Sequence, residues 1–290
     1  MIGLTNGHWT IMSERVKKMD TKLLKRAAYR RRLEVLDMVY RTGSGHIGGD
    51  MSCMDALVTL YGAVMDTGKM LAKAPDADHF VLSKGHCAEA LYTVLAEAGF
   101  FPKEQLNTYA QFGTRLAEHP THGLPGVDVA TGALGHGFPV ACGMALGSKR
   151  SGTGGHIYTL MGDGEQAEGS IWEAAMFAAK YQLDNLTAIV DRNHLQISGT
   201  TEEVMPLGDL GARYAAFGWN VIGCNGHDYA AMEAAFLTRA PGKPTVVVLD
   251  TIKGKGSPVM ENKAAWHHQI PNKEEYEAIK ADLTRQAEEE

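Results

Sequence analysis

A strand, a helix and a second strand follow one another between Ile157 and Asp191, and this succession constrains the fold more than any other feature of the chain. Ile157 to Met161 is a short apolar run, Ser170 to Tyr181 places apolar residues at helical spacing, and Leu186 to Asp191 is again short and apolar. Such a unit joins parallel strands, because parallel neighbours need a crossover of a dozen or more residues and a helix supplies it. The pattern recurs as strand Trp219 to Cys224, helix Asp228 to Thr238 and strand Thr245 to Asp250. The expected fold is α/β, a mostly parallel sheet flanked by helices on both faces.

The first half adds further elements. Leu23, Leu24, Ala27, Leu33, Leu36, Val39 and Tyr40 recur at helical spacing from Met19 to Tyr40, which predicts an amphipathic helix stopping at Gly43. Ser52 and Asp55 read as cap and first-turn residues of a second helix that reaches Met65. A strand is expected at His79 to Ser83 and a helix from about Cys87 to Ala98. Gly123 to Gly137 lacks periodicity and reads as a long functional loop leading into an apolar helix, Val140 to Leu146. The acidic end after Lys273 reads as a terminal helix, and there is no internal repeat or low-complexity linker.

Size and charge narrow the function. At 290 residues the chain suits one large domain with extensions, and 44% hydrophobic with 21% charged residues is ordinary globular composition. A formal charge of −6 argues against general nucleic-acid binding, which needs a basic footprint. Lys25, Arg26, Arg30, Arg31 and Arg32 form a basic cluster that reads as a solvated helix face rather than a docking site for an anionic partner. Cys53, Cys87, Cys142 and Cys224 have no CxxC spacing and read as reduced, buried thiols. The apolar start of the chain is broken by Asn6, Gly7 and His8, too short for a signal peptide, and no run approaches the roughly 20 apolar residues of a membrane span. A soluble cytoplasmic protein without membrane contact is expected.

In open parallel sheets ligands bind beyond the carboxyl ends of the strands. Gly162-Asp163-Gly164 follows one strand and Asn193 follows the next, thirty positions later, so the two side chains are expected to meet at one edge. An Asp and an Asn beside close-approaching glycines suit a hard, oxygen-preferring cation such as Mg²⁺ shared with ligand phosphates, and a helix beginning near Ser170 adds a favourable dipole. A Rossmann site competes, because Gly162 to Ala167 also satisfies G-x-G-x-x-A after a strand and Asp191 ends the following one. Electrostatics favours the metal: Asp163 and Glu165 would repel a bare dinucleotide pyrophosphate, whereas a metal-bridged diphosphate requires such a carboxylate. Gly43 to Gly48 also fits the dinucleotide pattern but follows a helix, which is the wrong context.

The stretch GDGEQAEGSIWEAAMFAAKYQLDNLTAIVDRN resembles the thiamine-diphosphate motif, which opens with GDG and closes on Asn after about thirty residues. SGHIGG, LSKGH, the His119-Pro120 pair, GVDVATGALGHG and TIKGKG followed by WHH resemble transketolase segments in family order, from about residue 20 to 280. The resemblance implies a thiamine-diphosphate-binding fold of the diphosphate-binding (PP) type over residues 19 to 290, after an extension at 1 to 18. It implies Asp163, Asn193 and the Leu195 carbonyl as ligands of Mg²⁺, with Ca²⁺ or Mn²⁺ as substitutes. His86, Gly132, Ala133, Leu134, Gly162, Gly164, Asn193 and His267 match cofactor contacts. His46, His119 and His267 match histidines that surround substrate hydroxyls or move protons, and Glu168 matches a relay carboxylate at an interface between subunits.

Family chemistry passes a two-carbon ketol unit from a ketose, or ketose phosphate, to an aldose acceptor, with thiamine diphosphate as the electron sink. The chain ends before a pyrimidine-binding domain begins, so the resemblance implies that the partner is a C-terminal transketolase subunit and that two such pairs form a heterotetramer. His136 stands where transketolases commonly have Gln and His268 where Gly often follows the active-site histidine, which points away from a standard pentose-phosphate substrate. The alternatives are a deoxyxylulose-phosphate-synthase-like or pyruvate-decarboxylating chain, a non-catalytic cofactor-binding partner, and a nicotinamide dehydrogenase.

Overall fold

The computed structural model describes residues 18–289. The expected extension, apart from Lys18, and the apolar start of the chain lie outside the described residues.

Helix α1 (Thr21–Thr42) begins where the Asp20 carboxylate accepts from the Leu23 N–H at 2.9 Å, and ends at Gly43, whose φ of 67° is the left-handed conformation glycine tolerates. Its basic cluster divides. Lys25, Arg26 and Arg30 are exposed as a solvated face requires, but Arg31 and Arg32 are buried, which corrects the expectation for those two. Arg31 pairs with Glu34 and Glu97. Arg32 makes a bidentate pair with Asp55, both bonds 2.8 Å, and donates to the Met51 carbonyl. Five donors in a planar fork explain how one guanidinium can be satisfied in a core.

Helix α2 (Ile47–Thr59) starts before Ser52 and Asp55, which therefore lie inside it rather than at its cap, and it runs into a π-helical turn, Leu60–Val64. All its residues are buried. Glycine in its first turn permits close approach: a Cβ on Gly49 would sit 2.7 Å from Cys87 Sγ. Short α3 (Thr67–Leu71), β1 (His79–Leu82) and α4 (Ala88–Glu97) follow, then the long loop and α5 (Gly137–Ser151). The second half supplies β2 (Ile157–Gly162), α6 (Gly169–Lys180), β3 (Leu186–Arg192), α7 (Thr201–Val204), α8 (Leu210–Ala216), β4 (Asn220–Asn225), α9 (Tyr229–Leu237), β5 (Thr245–Asp250) and α10 (Lys273–Glu288).

The five strands lie in the order β1-β2-β3-β5-β4, and every pairing is parallel. Alternate strand residues feed two cores, as a period of two requires. Phe80, Leu82, Tyr158, Leu160, Ile189 and Val247 pack with α1, α2, α4, α9 and α10, while Val81, Met161, Ala188, Val190 and Val246 pack with α5, α6 and α8. The register pairs Gly162 with Asp191, so the polar ends of β2 and β3 stop side by side. Cys53, Cys87 and Cys142 are buried and Cys224 partly so, all as free thiols. Among the described residues no helix is long and apolar enough to cross a membrane.

Candidate active site at the strand ends

Beyond the carboxyl ends of β2 and β3 lies a cavity of about 360 Å³. Its floor is polar backbone and carboxylate. Asp163, 2% exposed, accepts from the N–H groups of Gly164 at 2.8 Å and His194 at 2.6 Å. Burial, with Asp191 behind it, pushes its carboxyl up to about 6. Asn193 Oδ1 accepts from the Leu195 N–H at 3.2 Å. The expected residues Gly162, Asp163, Gly164, Asn193 and Leu195 line this one cavity, and so do His46, His86, Gly132, Leu134 and His267 from the other walls. Ala133 is exposed and Glu168 stands exposed just before α6 without a side-chain bond to it, both outside the lining. His119 sits in an adjoining groove with its ring centroid 5.8 Å from that of His46.

Histidines crowd the opposite wall. The ring of His46 lies 5.4 Å from His86, 5.6 Å from His267 and 4.6 Å from His268, the last beyond the lining and exposed. Burial foremost, then the neighbouring His268, lowers His46 to about 4. Burial and Lys253 lower His267 to about 3, and burial and Lys84 hold His86 well below the usual imidazole range. These three rings are neutral at physiological pH and offer both a donor and an acceptor. Glu118 approaches from the loop, accepts from Ser44 Oγ at 2.5 Å, and brings an oxygen within 4.8 Å of donor atoms on His46 and His268. That grouping is nitrogen-rich, whereas the oxygen-only corner at Asp163 and Asn193 has the donors a hard cation prefers.

Two lysines that the sequence analysis did not single out carry the site's positive charge. Lys84 is 1% exposed and donates to Asp191 at 2.5 Å, and Asp191 also accepts from Ser52 at 2.6 Å and from Thr251. Burial opposes charge on both partners, yet their attraction holds Lys84 well above and Asp191 below the usual ranges. Lys253 is lowered to about 8 by burial and then by Lys84. Both stand inside family motifs, LSKGH and TIKGKG, so the signal was present without any mark of burial. Glu165, which only the Rossmann alternative would have set beside a pyrophosphate, lies at the cavity lining with its carboxylate bound to the protein. It is 1% exposed, and its oxygens accept from Ser83 Oγ at 2.5 Å, Gly135 N at 2.9 Å and Gly162 N at 3.1 Å, fastening the glycine loop to the strand ends.

The family described as "Transketolase, thiamine diphosphate binding domain" matches residues 24–289. The chain belongs to the transketolase family. Similar proteins include an apulose-4-phosphate transketolase subunit of Phocaeicola vulgatus, 44% identical over 272 residues that make up 93% of this chain and 97% of that one. The 6-deoxy-6-sulfo-D-fructose transketolase subunit SqwG of a Clostridium species is 42% identical over 87% of this chain and 92% of its own. Among solved structures, the transketolase of Leishmania mexicana superposes with a TM-score of 0.82 at 28% identity, covering 94% of this chain and 42% of that enzyme. This transketolase subunit thus has the thiamine-diphosphate-binding fold, and its cofactor is thiamine diphosphate. The Rossmann and dehydrogenase alternatives fall away, because the family covers the whole βαβ unit on which they rested.

Proposed function

We propose that this subunit holds the diphosphate end of thiamine diphosphate through Mg²⁺ at Asp163, Asn193 and the Leu195 carbonyl. The complete enzyme then moves a two-carbon ketol unit between phosphorylated sugars. The observation that carries the reading is the shared cavity at the ends of β2 and β3, with a buried carboxylate and an amide on one wall and three neutral histidines on the other. The donor set fits the group. Asp163 is buried beside Asp191, so a divalent ion would relieve a repulsion that already raises its pKa, and the Nε2 of Gln196 on the lining is buried without a partner.

When bound, thiamine diphosphate supplies the electron sink for cleavage of the ketose beside its carbonyl. The chain's own residues bind, orient and move protons. Gly132, Gly162 and Gly164 keep side chains out of the cofactor's path, Leu134 lines it, and His86 reaches toward the diphosphate. His46, His119 and His267 hold sugar hydroxyls. His267 accepts from Lys253 on Nδ1, so its neutral ring carries hydrogen on Nε2, and that atom exchanges a proton with a substrate hydroxyl. Glu168, exposed at the start of α6, serves a relay carboxylate's role at an interface.

The partner in this reading is a C-terminal transketolase subunit with a pyrimidine-binding domain, assembled as a heterotetramer of two pairs. A relative matched over 97% of its own length is named as one transketolase subunit, which supports the split. A branched or modified sugar phosphate fits better than a common pentose phosphate, given the names of the relatives and the presence of His268. A cytoplasmic setting agrees with four cysteines left as free thiols. Reconstitution with the partner subunit, thiamine diphosphate and Mg²⁺ should give ketol transfer from a ketose phosphate. The reading fails if the cofactor and Mg²⁺ together leave the thermal stability of the chain and of the assembled pair unchanged.

A further inference from the structure

Behind the histidines, α2 and α4 bury two carboxyl groups near each other, Asp50 bonding the residue that follows Glu89. Asp50 and Glu89 are both 0% exposed. Asp50 Oδ1 accepts from the Ala90 N–H at 2.9 Å, and Glu89 Oε1 accepts from the His46 N–H at 3.3 Å and from the Tyr109 hydroxyl. The remaining oxygens, Asp50 Oδ2 and Glu89 Oε2, are buried and receive no donor, and each carboxyl group shifts the other's titration. Lys84, which Asp50 senses, is committed to Asp191. Two ionised carboxylates buried side by side without a counter-ion of their own repel strongly, while a single proton between them removes the repulsion and satisfies both orphaned oxygens.

We propose that Asp50 and Glu89 share one proton, and that this bridged pair is the post that positions His46 in the sugar site. The proposal rests on the reading of His46 as a substrate-binding residue and adds to it what holds that residue in place. The turn bearing His46 is laid directly on the Glu89 carboxyl group: a Cβ on Gly45, whose φ is 141°, would come within 2.5 Å of Glu89 Oε1. One helical turn along α4, the Tyr92 hydroxyl lies 2.9 Å from the Ala117 carbonyl and 3.0 Å from that of His119. One face of α4 therefore grips the backbones of two sugar-site histidines, and both grips depend on α4 keeping its seat against Asp50.

Other titratable groups facing the pair are Cys87 and Lys84 from the turn before α4, Tyr92 from α4 itself, and Tyr109 from the segment after it. Burial pushes Glu89 up to about 7 and Asp50 well above the usual carboxylate range. Both folded values exceed the unfolded ones, so the pair's stabilisation is present at lower pH and is lost as pH rises through the folded values.

Glu89→Gln separates the cases, because its amide oxygen still accepts from His46 and Tyr109 while its N–H₂ replaces the shared proton at every pH. In the enzyme assembled with its partner and saturated with thiamine diphosphate and Mg²⁺, raising the pH from about 7 to about 9 should increase the wild-type donor KM. The slope should approach about tenfold per unit once the proton leaves. Glu89→Gln should flatten that rise and also the accompanying fall in Tm, with cofactor affinity by calorimetry unchanged. Glu89→Leu should raise the donor KM at every pH. The proposal is overturned if Glu89→Gln follows the wild-type pH dependence in both KM and Tm, or if Glu89→Leu lowers Tm but leaves the donor KM alone. If Glu89→Leu does not fold, the Glu89→Gln profile decides. Failure of the wild type to bind thiamine diphosphate would instead sink the underlying transketolase reading.

Discussion

Lys253 Nζ donates to His267 Nδ1 at 2.9 Å, tying the lysine of the TIKGKG segment to the first histidine of the WHH segment. The contact sets the tautomer of His267 and, after burial, is the main reason its ring stays unprotonated. Two outcomes follow for catalysis. His267→Ala should lower kcat by roughly 10²- to 10⁴-fold, the usual worth of one acid-base group. Lys253→Met should remove a neighbouring positive charge, raise the His267 pKa, and move the acid limb of the kcat/KM profile to higher pH. Full turnover in His267→Ala, or an unmoved limb in Lys253→Met, would contradict these roles.

Asp163→Ala should abolish the joint binding of Mg²⁺ and thiamine diphosphate in a titration calorimetry experiment, because it removes the charged donor from the oxygen corner at Asn193. Asp163→Asn should keep a weaker, oxygen-donating remnant. Because burial and Asp191 raise the Asp163 carboxyl to about 6, cofactor binding in the wild type should weaken as pH falls through that value. Cofactor affinity equal to wild type in Asp163→Ala would remove this residue from the metal site.

Breaking the Arg32–Asp55 pair should be costly. Asp55 is buried and also contacts His227 Nδ1 at 2.6 Å and Tyr229 OH at 2.6 Å, so it joins α1, α2 and α9. Asp55→Ala leaves an uncompensated guanidinium in the core and should destabilise by about 3 to 5 kcal/mol in urea unfolding. The double replacement Arg32→Met with Asp55→Leu should cost less than that, and an equal or larger cost would show that the pair itself stabilises.

Stability should also respond to acid through His156, which is buried against Thr187 Oγ1 at 2.9 Å and lowered to about 3 by burial, then by Arg239. The folded value lies below the unfolded one, so the unfolded chain takes up the proton first and stability falls as pH drops below about 6.5. His156→Gln should show a shallower fall in Tm between about pH 7 and about pH 5. Parallel curves for the two proteins would mean that His156 does not contribute.

Much of the fold was legible because β strands and helices announce themselves by period. The β5 range expected from Thr245 to Asp250 is the observed one, and the other strands differ only at their ends. The start of α2 was hidden because glycine is read as a loop former, whereas here packing against Cys87 demands its small size. Arg31 and Arg32 were hidden because charge is read as exposure until a buried acceptor such as Asp55 is known. At the site, Asp163 and Asn193 could be paired through strand-end logic and thirty-residue spacing, and the cavity does join them. Lys84, Asp50 and Glu89 could not, since each acts through a partner far away in sequence.

Sequence by itself determined the α/β alternation, the family likeness and the oxygen donors after β2 and β3, because these depend on local period and on short spacings. Only the tertiary structure decided which charges are buried, which histidines are neutral and which face of α4 supports the sugar site. Those properties arise from desolvation and from contacts between residues such as Lys84 and Asp191, far apart along the chain and adjacent once the sheet has formed.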